Sequence, residues 1–260
     1  MKALNGGRRA AAEDLLAQGQ RYCQEVSSER PSVFPDAGVF EAACVVEPAL
    51  SVRQVDEDFL GIVMGAHPGL PDWPLWFDTR RHRLRQERPF VHQGGWQCWI
   101  SGGSLGPPQF WRIEPEGRFY VRAAFEEDTV MPREMAQPSH SILDAVWRIR
   151  RLYEALRCGQ AFVRVLGSDE GSTLRFAFRW TRLQGRALPI VNFMGLSWPS
   201  PLDPQSHQDI CQSRAVLSIG AGPEAILSAA EEALAPLFHL FGGPVLKRQQ
   251  LEEVWTRFFR

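Results

Sequence analysis

Lysine is nearly absent from this chain. Of its 29 basic residues only Lys2 and Lys247 are lysines, one near each end. That scarcity excludes chemistry. No G-x-x-x-x-G-K-[ST] loop is present to cradle nucleotide phosphates. A Schiff-base lysine in a central cleft has no candidate. A nuclease that sets a lysine beside its carboxylates is hard to build, although "PDW" at 71–73 and "EED" at 126–128 supply acids.

Other absences narrow the class. The five cysteines, Cys23, Cys44, Cys98, Cys158 and Cys211, form no C-x-x-C and are widely spaced. Neither a disulfide framework nor a zinc module is expected, and reduced, buried thiols suit a cytoplasmic protein. No run of about 18 apolar residues could span a membrane, and no membrane partner is expected. The opening "MKALNGGRRAAAEDLL" lacks the apolar stretch of a signal peptide. A net charge of −1 creates no global field to recruit nucleic acid or an acidic membrane, although it allows a local patch.

The 260 residues can bury a sizeable core. We expect a single domain over 1–260; the alternative is a division into a β-rich half, 1–135, and a helix-strand-helix half, 136–260. The periodicities predict a helix over 8–26 and a strand over 39–46. A short helix is expected within 52–59. A Pro- and Trp-rich loop should follow, with Trp73 and Trp76 plugging onto the core. In "GGWQCWI" Trp96, Cys98 and Ile100 share one face and Trp99 the other. "FWRIEPEGRFYVRAAF" reads as a hairpin turning at 114–117. A long helix is predicted over 139–166, with Ser141 and Asp144 as a capping box and Gly167 as its stop. Strands are expected at 174–181, 188–193 and 214–219, then helices from Pro223 and over 244–259. Strands and helices do not alternate regularly. The fold class is therefore α+β, a mostly antiparallel sheet with an N-terminal helix, a long central helix and C-terminal helices packed on it.

Catalytic motifs fail on context. "GGSLG" matches G-x-S-x-G around Ser104, but Pro107 and Pro108 forbid the helix that a nucleophile elbow requires. "GLSWP" at 195–199 lacks the second glycine. His67, His82, His92, His140, His207 and His239 show no metal-ligand spacing. Asp56-Glu57-Asp58 and Glu126-Glu127-Asp128 are consecutive acids, which diverge in a turn and favour solvated turns over metal sites. No metal or cofactor is expected. A hydrolase or metal-dependent enzyme using Glu126, Asp128 or Ser104 remains a minor alternative.

Arginine is the positive signal. Nine arginines between 148 and 186 face only Glu154, Asp169 and Glu170, a local excess of six positive charges. Arg80, Arg81, Arg83, Arg85 and Arg88 form a second patch. In "LRFAFRWTRLQGRAL", residues 174–188, period-two alternation puts Phe176, Phe178 and Trp180 on one face and Arg175 and Arg179 on the other. The aromatics are expected to fill the core under the preceding helix. The arginines line an outer face, paired with acids such as Glu154 or open to an anion. The leading expectation is a non-enzymatic binding module that recognises a protein partner or a small anionic ligand through Arg148, Arg175, Arg179, Arg182 and Arg186. Nucleic-acid binding by the two patches is the second reading and is not favoured.

"FWRIEPEGRFYVRAAFEED", "VWRIRRLYEAL", "LRFAFRWTRLQGRAL" and the helix "LAPLFHLFGG" together resemble the region downstream of the DNA-binding domain in bacterial Schlafen-like (AlbA-type) proteins. The likeness covers about residues 30–243. The residues given carry no counterpart of the upstream AlbA-like domain, so that domain's nucleic-acid or nuclease role does not come with it. What the resemblance implies is an accessory or sensory module, in regulation or phage defence. It assigns no residue roles.

Overall fold

A computed structural model of the chain describes residues 2–29, 36–51, 53–66, 68, 75–76, 78–103, 106–129, 140–189, 204–242 and 248–259. A seven-stranded antiparallel sheet is covered by helices on both faces. Its strands are β1 (Val39–Glu47), β2 (Phe90–His92), β3 (Gly95–Ile100), β4 (Gln109–Glu114), β5 (Arg118–Ala124), β6 (Thr173–Thr181) and β7 (Cys211–Ser218). The spatial order is β2-β3-β4-β5-β1-β6-β7. β2 to β5 form a meander, and β1 is inserted between β5 and β6. The line between 1–135 and 136–260 therefore runs through a hydrogen-bonded sheet. The α+β class with an antiparallel sheet is as the sequence predicts.

One face carries α1 (Lys2–Glu29). Ala12, Leu15, Leu16, Cys23 and Val26 recur at helical spacing and pack on Ala43, Val45, Trp99, Phe110, Tyr120 and Ala177. Gly19 lets the helix come close. A Cβ there would lie 2.2 Å from the ring of buried Tyr120.

The opposite face carries α2 (Glu57–Gly65), α4 (Ala145–Val165), α5 (Pro223–His239) and α6 (Arg248–Phe259). A short helix, α3 (Glu126–Thr129), follows β5 directly. Phe176, Phe178 and Trp180 lie in this core with Ile149, Leu152 and Leu156 of α4, as the alternation predicts. The Phe176 and Phe178 rings stack at 5.8 Å, and Phe40 of β1 sits 5.8 Å from Trp180. Gly159 of α4 is another close approach, since a Cβ would meet Phe176 at 2.6 Å. Trp96, Cys98 and Ile100 join this core, while Trp99 joins the α1 side. Trp76 is buried edge-on to Phe119 at 5.3 Å; Trp73 lies outside the described residues.

Three expectations shift. The early helix runs Glu57–Gly65, because Asp56 accepts from the Phe59 N–H and caps it there. Asp144, not Ser141, caps α4, accepting from Val146 N and Trp147 N at 2.9 and 3.2 Å. The residues before it are held elsewhere, with Leu143 N donating to Ala187 O and Ala187 N to Ser141 O. Of the strand expected at 188–193 only Leu188 and Pro189 are described, and neither is in a strand; isolated bridges join the preceding Ala187 to Ile142 and Gln205, and 190–193 lie outside the described residues.

Gly19→Ala tests the helix–sheet approach. Alanine is the better helix former by about 1 kcal/mol, yet here it collides with a buried ring. The urea midpoint should fall, by the equivalent of roughly 1–3 kcal/mol. A rise would show that α1 does not bear on Tyr120.

Candidate functional site

The arginines expected to form one binding face are divided by the sheet. Arg175 and Arg179 stand on the α1 face, with Ala177 between them in the α1 core. Arg148 lies on α4, on the other side, so strand and helix do not share an arginine surface. All five predicted residues meet carboxylates of this chain.

Glu41 organises the α1 face. It is fully buried on the central strand, directly across from Arg122 of β5 and Arg179 of β6. Arg179 Nε donates to its Oε2 at 2.5 Å, and Arg122 Nη1 to its Oε1 at 3.3 Å. The Tyr120 hydroxyl also donates to Oε1, and Gln20 of α1 reaches both oxygens. Burial and then the Glu41 charge push the Tyr120 phenol well up, so it stays a donor. Next along the strand, Arg175 Nε donates to Glu47 at 2.7 Å. Farther across the sheet, buried Arg112 bonds Glu114 and the His92 and Gln93 carbonyls and lies 4.0 Å from the Tyr22 ring centroid. Glu41 was missed in the sequence, although a lone acid inside "VFEAACVV" was its signal.

A second network fills the end of the helical face. The sequence suggests a solvated turn for Glu126, Glu127 and Asp128, but in α3 Glu126 and Glu127 are buried and Asp128, half-buried as a residue, has its carboxylate turned inward. The turn is internal because guanidiniums answer it. Arg148 Nη2 donates to Glu126 at 2.5 Å and Glu127 at 2.9 Å. Arg151 bridges Glu126 and Glu154 at 2.5 and 2.6 Å. Arg186, fully buried, forks onto Asp128 at 2.5 and 3.1 Å and donates to the Ile142 and Arg182 carbonyls. Arg182 is half-exposed and pairs with Asp36. Phe125 lies beneath two guanidiniums, 4.0 Å from Arg148 and 4.9 Å from Arg186. Nε and Nη1 of Arg148 have no hydrogen-bond partner among the described residues.

Carboxyls outnumber guanidiniums here, and their protonation divides. Burial pushes Glu126 up, but the Arg151 and Arg148 charges outweigh it and hold the group low. Asp128 is likewise held low, with burial overcome by the Arg186 fork. Burial raises Glu127 to about 7, since Arg148 is its single guanidinium and Asp144 and Glu126 repel its charge. Burial also raises Glu154 and Asp144. No three or more His, Cys, Asp or Glu among the described residues converge to hold a metal ion. Ser104 lies outside the described residues.

The second arginine patch is the open one. Arg81, Arg83, Arg85 and Arg88 are all exposed, and none forms an ion pair among the described residues. Arg80 forks onto Asp78, and Arg88 Nε donates to the His82 carbonyl at 2.8 Å. A depression of about 450 Å³ opens at Asp78, Arg80 and Arg81. Buried Glu87 pins the segment. Its carboxylate accepts from the Ser101 N–H at 3.1 Å and from the Ser101 hydroxyl, and it lies 3.1 Å from His82 Nδ1. The Cys98 thiol donates to its carbonyl. A separate cleft of about 550 Å³ between α1 and the β6–β7 edge holds Arg175 and Arg214, but Glu13 and Glu232 offset their charge.

No protein-family model, curated protein or solved structure matches the chain.

Two predictions follow from the networks. Glu41→Ala should cost roughly 3–5 kcal/mol, because it strands Arg122 and Arg179 beside a buried cavity; a loss under about 1 kcal/mol in urea unfolding would mean the network is dispensable. For Glu127, the folded carboxyl holds its proton up to about 7 while the unfolded one releases it near 4.5. Folding stability should therefore decline as pH rises through that window, by on the order of 3 kcal/mol, and stay lowered above it. Glu127→Gln should flatten the decline between pH 5 and pH 8. Parallel curves for the two proteins would assign the proton elsewhere.

Proposed function

We propose that the protein is a non-enzymatic binding module that holds an anionic partner against the arginines of segment 80–88. One contrast carries the reading. Arg148, Arg151, Arg175, Arg179 and Arg186 are matched by carboxylates of this chain, whereas Arg81, Arg83, Arg85 and Arg88 face solvent without one among the described residues. A guanidinium already forked onto a buried carboxylate has little left to offer a ligand. An exposed one offers its planar donors to phosphate or carboxylate. The Glu87 pin fixes the segment beforehand, so little ordering is left for binding to impose.

The site residues thus move from Arg148, Arg175, Arg179, Arg182 and Arg186 to Arg81, Arg83, Arg85 and Arg88. The acids at 126–128 weigh against the catalytic alternative, because their oxygens are engaged by Arg148, Arg151 and Arg186 away from solvent. The resemblance to the downstream region of Schlafen-like proteins supports an accessory or sensory role in regulation or phage defence. All five cysteines are buried and none is in a disulfide, which supports a reducing, cytoplasmic setting.

The test uses two soluble polyanions, poly-glutamate and single-stranded DNA. At ~50 mM salt at least one should bind, and affinity should fall steeply as salt rises. Arg83→Glu with Arg85→Glu should weaken binding by at least ~20-fold without changing the melting temperature, since both side chains are exposed. Retained binding in that variant, or no binding of any anionic probe, soluble or at a vesicle surface, at low salt, would refute the reading.

A further inference from the structure

The charged segment carries an apolar side chain at its middle. Leu84 is 45% exposed and stands between Arg83 and Arg85. Val91, 48% exposed, follows on β2. Ile62, 41% exposed, lies on α2 next to Gly61, and a Cβ on Gly61 would be 3.5 Å from Arg80 Nη1. Single exposed hydrophobics are ordinary. Here three of the six large ones among the described residues fall within or beside one arginine segment.

A site built only for a soluble anion gains nothing from a leucine among its guanidiniums. A lipid surface uses both. The apolar side chain enters the acyl boundary, while the arginine stems lie along it and their heads stay at the phosphates. The depression at Asp78, Arg80 and Arg81 adds a concavity beside those heads. The fixed shape set by Glu87 suits a flat surface, because the loop need not be ordered on arrival. Single-stranded nucleic acid, in contrast, is held by stacking on exposed aromatics beside the charges. Phe90 is engaged against the α1 core, and His82 faces Glu87.

We propose that segment 80–88 docks the protein peripherally on an anionic bilayer, with Arg81, Arg83, Arg85 and Arg88 on headgroup phosphates and Leu84 in the acyl boundary. The proposal deepens the anion-binding reading and rests on it. Nothing spans the bilayer in this arrangement; no helix among the described residues is long and apolar enough to do so. Each arginine near an anionic leaflet raises partition about fivefold, so four give roughly 600-fold, a weak and reversible attachment.

The experiment is co-sedimentation of the full chain with vesicles of phosphatidylcholine alone and vesicles rich in phosphatidylglycerol, beside the two soluble polyanions. Uptake by the anionic vesicles alone is expected at ~50 mM salt and should be lost by ~500 mM. Arg83→Glu with Arg85→Glu should lower vesicle uptake by at least ~20-fold, and also weaken any soluble polyanion bound. Leu84→Ser should lower vesicle uptake by roughly fivefold and leave polyanion affinity unchanged, since only the bilayer accepts the side chain. Circular dichroism confirms that the variants are folded. Binding of a soluble polyanion without uptake by anionic vesicles overturns the membrane proposal and leaves the anion reading standing. An unchanged vesicle uptake by Leu84→Ser does the same. Failure of vesicles and both polyanions alike overturns both.

Discussion

The structure depends on one kind of pairing, in which a guanidinium taken out of water meets a carboxylate. Burying either ion alone costs several kcal/mol, and truncating one partner of a buried pair leaves the other stranded. Glu41 meets this condition on the α1 face, where its oxygens join Arg122, Arg179, Tyr120 and Gln20 across three strands and a helix. Glu126 and Asp128 meet it on the helical face, where they tie α3 to α4 and to the segment after β6. With almost no lysine in the chain, these pairings use the fixed fork of arginine rather than a mobile ammonium.

This pairing sorts the arginines by task. A buried, forked guanidinium specifies how elements meet, as Arg186 does between α3 and the 182–187 segment. An exposed one keeps its donors for something outside the chain. Both kinds occur as dense clusters in the sequence, and only their acids distinguish them. Those acids are remote: Arg179 and Glu41 are 138 positions apart, and Arg148 and Glu126 are 22.

That remoteness explains what the sequence revealed. The split of "LRFAFRWTRLQGRAL" into a core face and a polar face was legible, because period two is local. So were the 115–117 turn and the meander it belongs to. Local hydrogen bonding misled at α4, where Ser141 looked like a cap but is held by Ala187, leaving the start to Asp144. The local excess of charge over 148–186 misled more, because counting along the chain omits Glu41, Glu47, Glu126 and Asp128, which lie outside that window and neutralise it. The patch at 80–88 was also legible as composition, but its openness was not. That needed the position of Glu87, whose carboxylate turns inward to Ser101 and away from its arginine neighbours.

The placement of β1 has a consequence for biosynthesis. It leads the sheet in sequence yet sits between β5 and β6 in space. As the chain leaves the ribosome, β1 can pair with β5 once the meander is complete, but its other side stays open until α4 and β6 have followed. During that interval the sheet would have a temporary edge at a strand that the folded sheet holds in its interior. Glu41, already beside Arg122, still awaits Arg179. A charged side chain on an open edge discourages pairing with a stray strand.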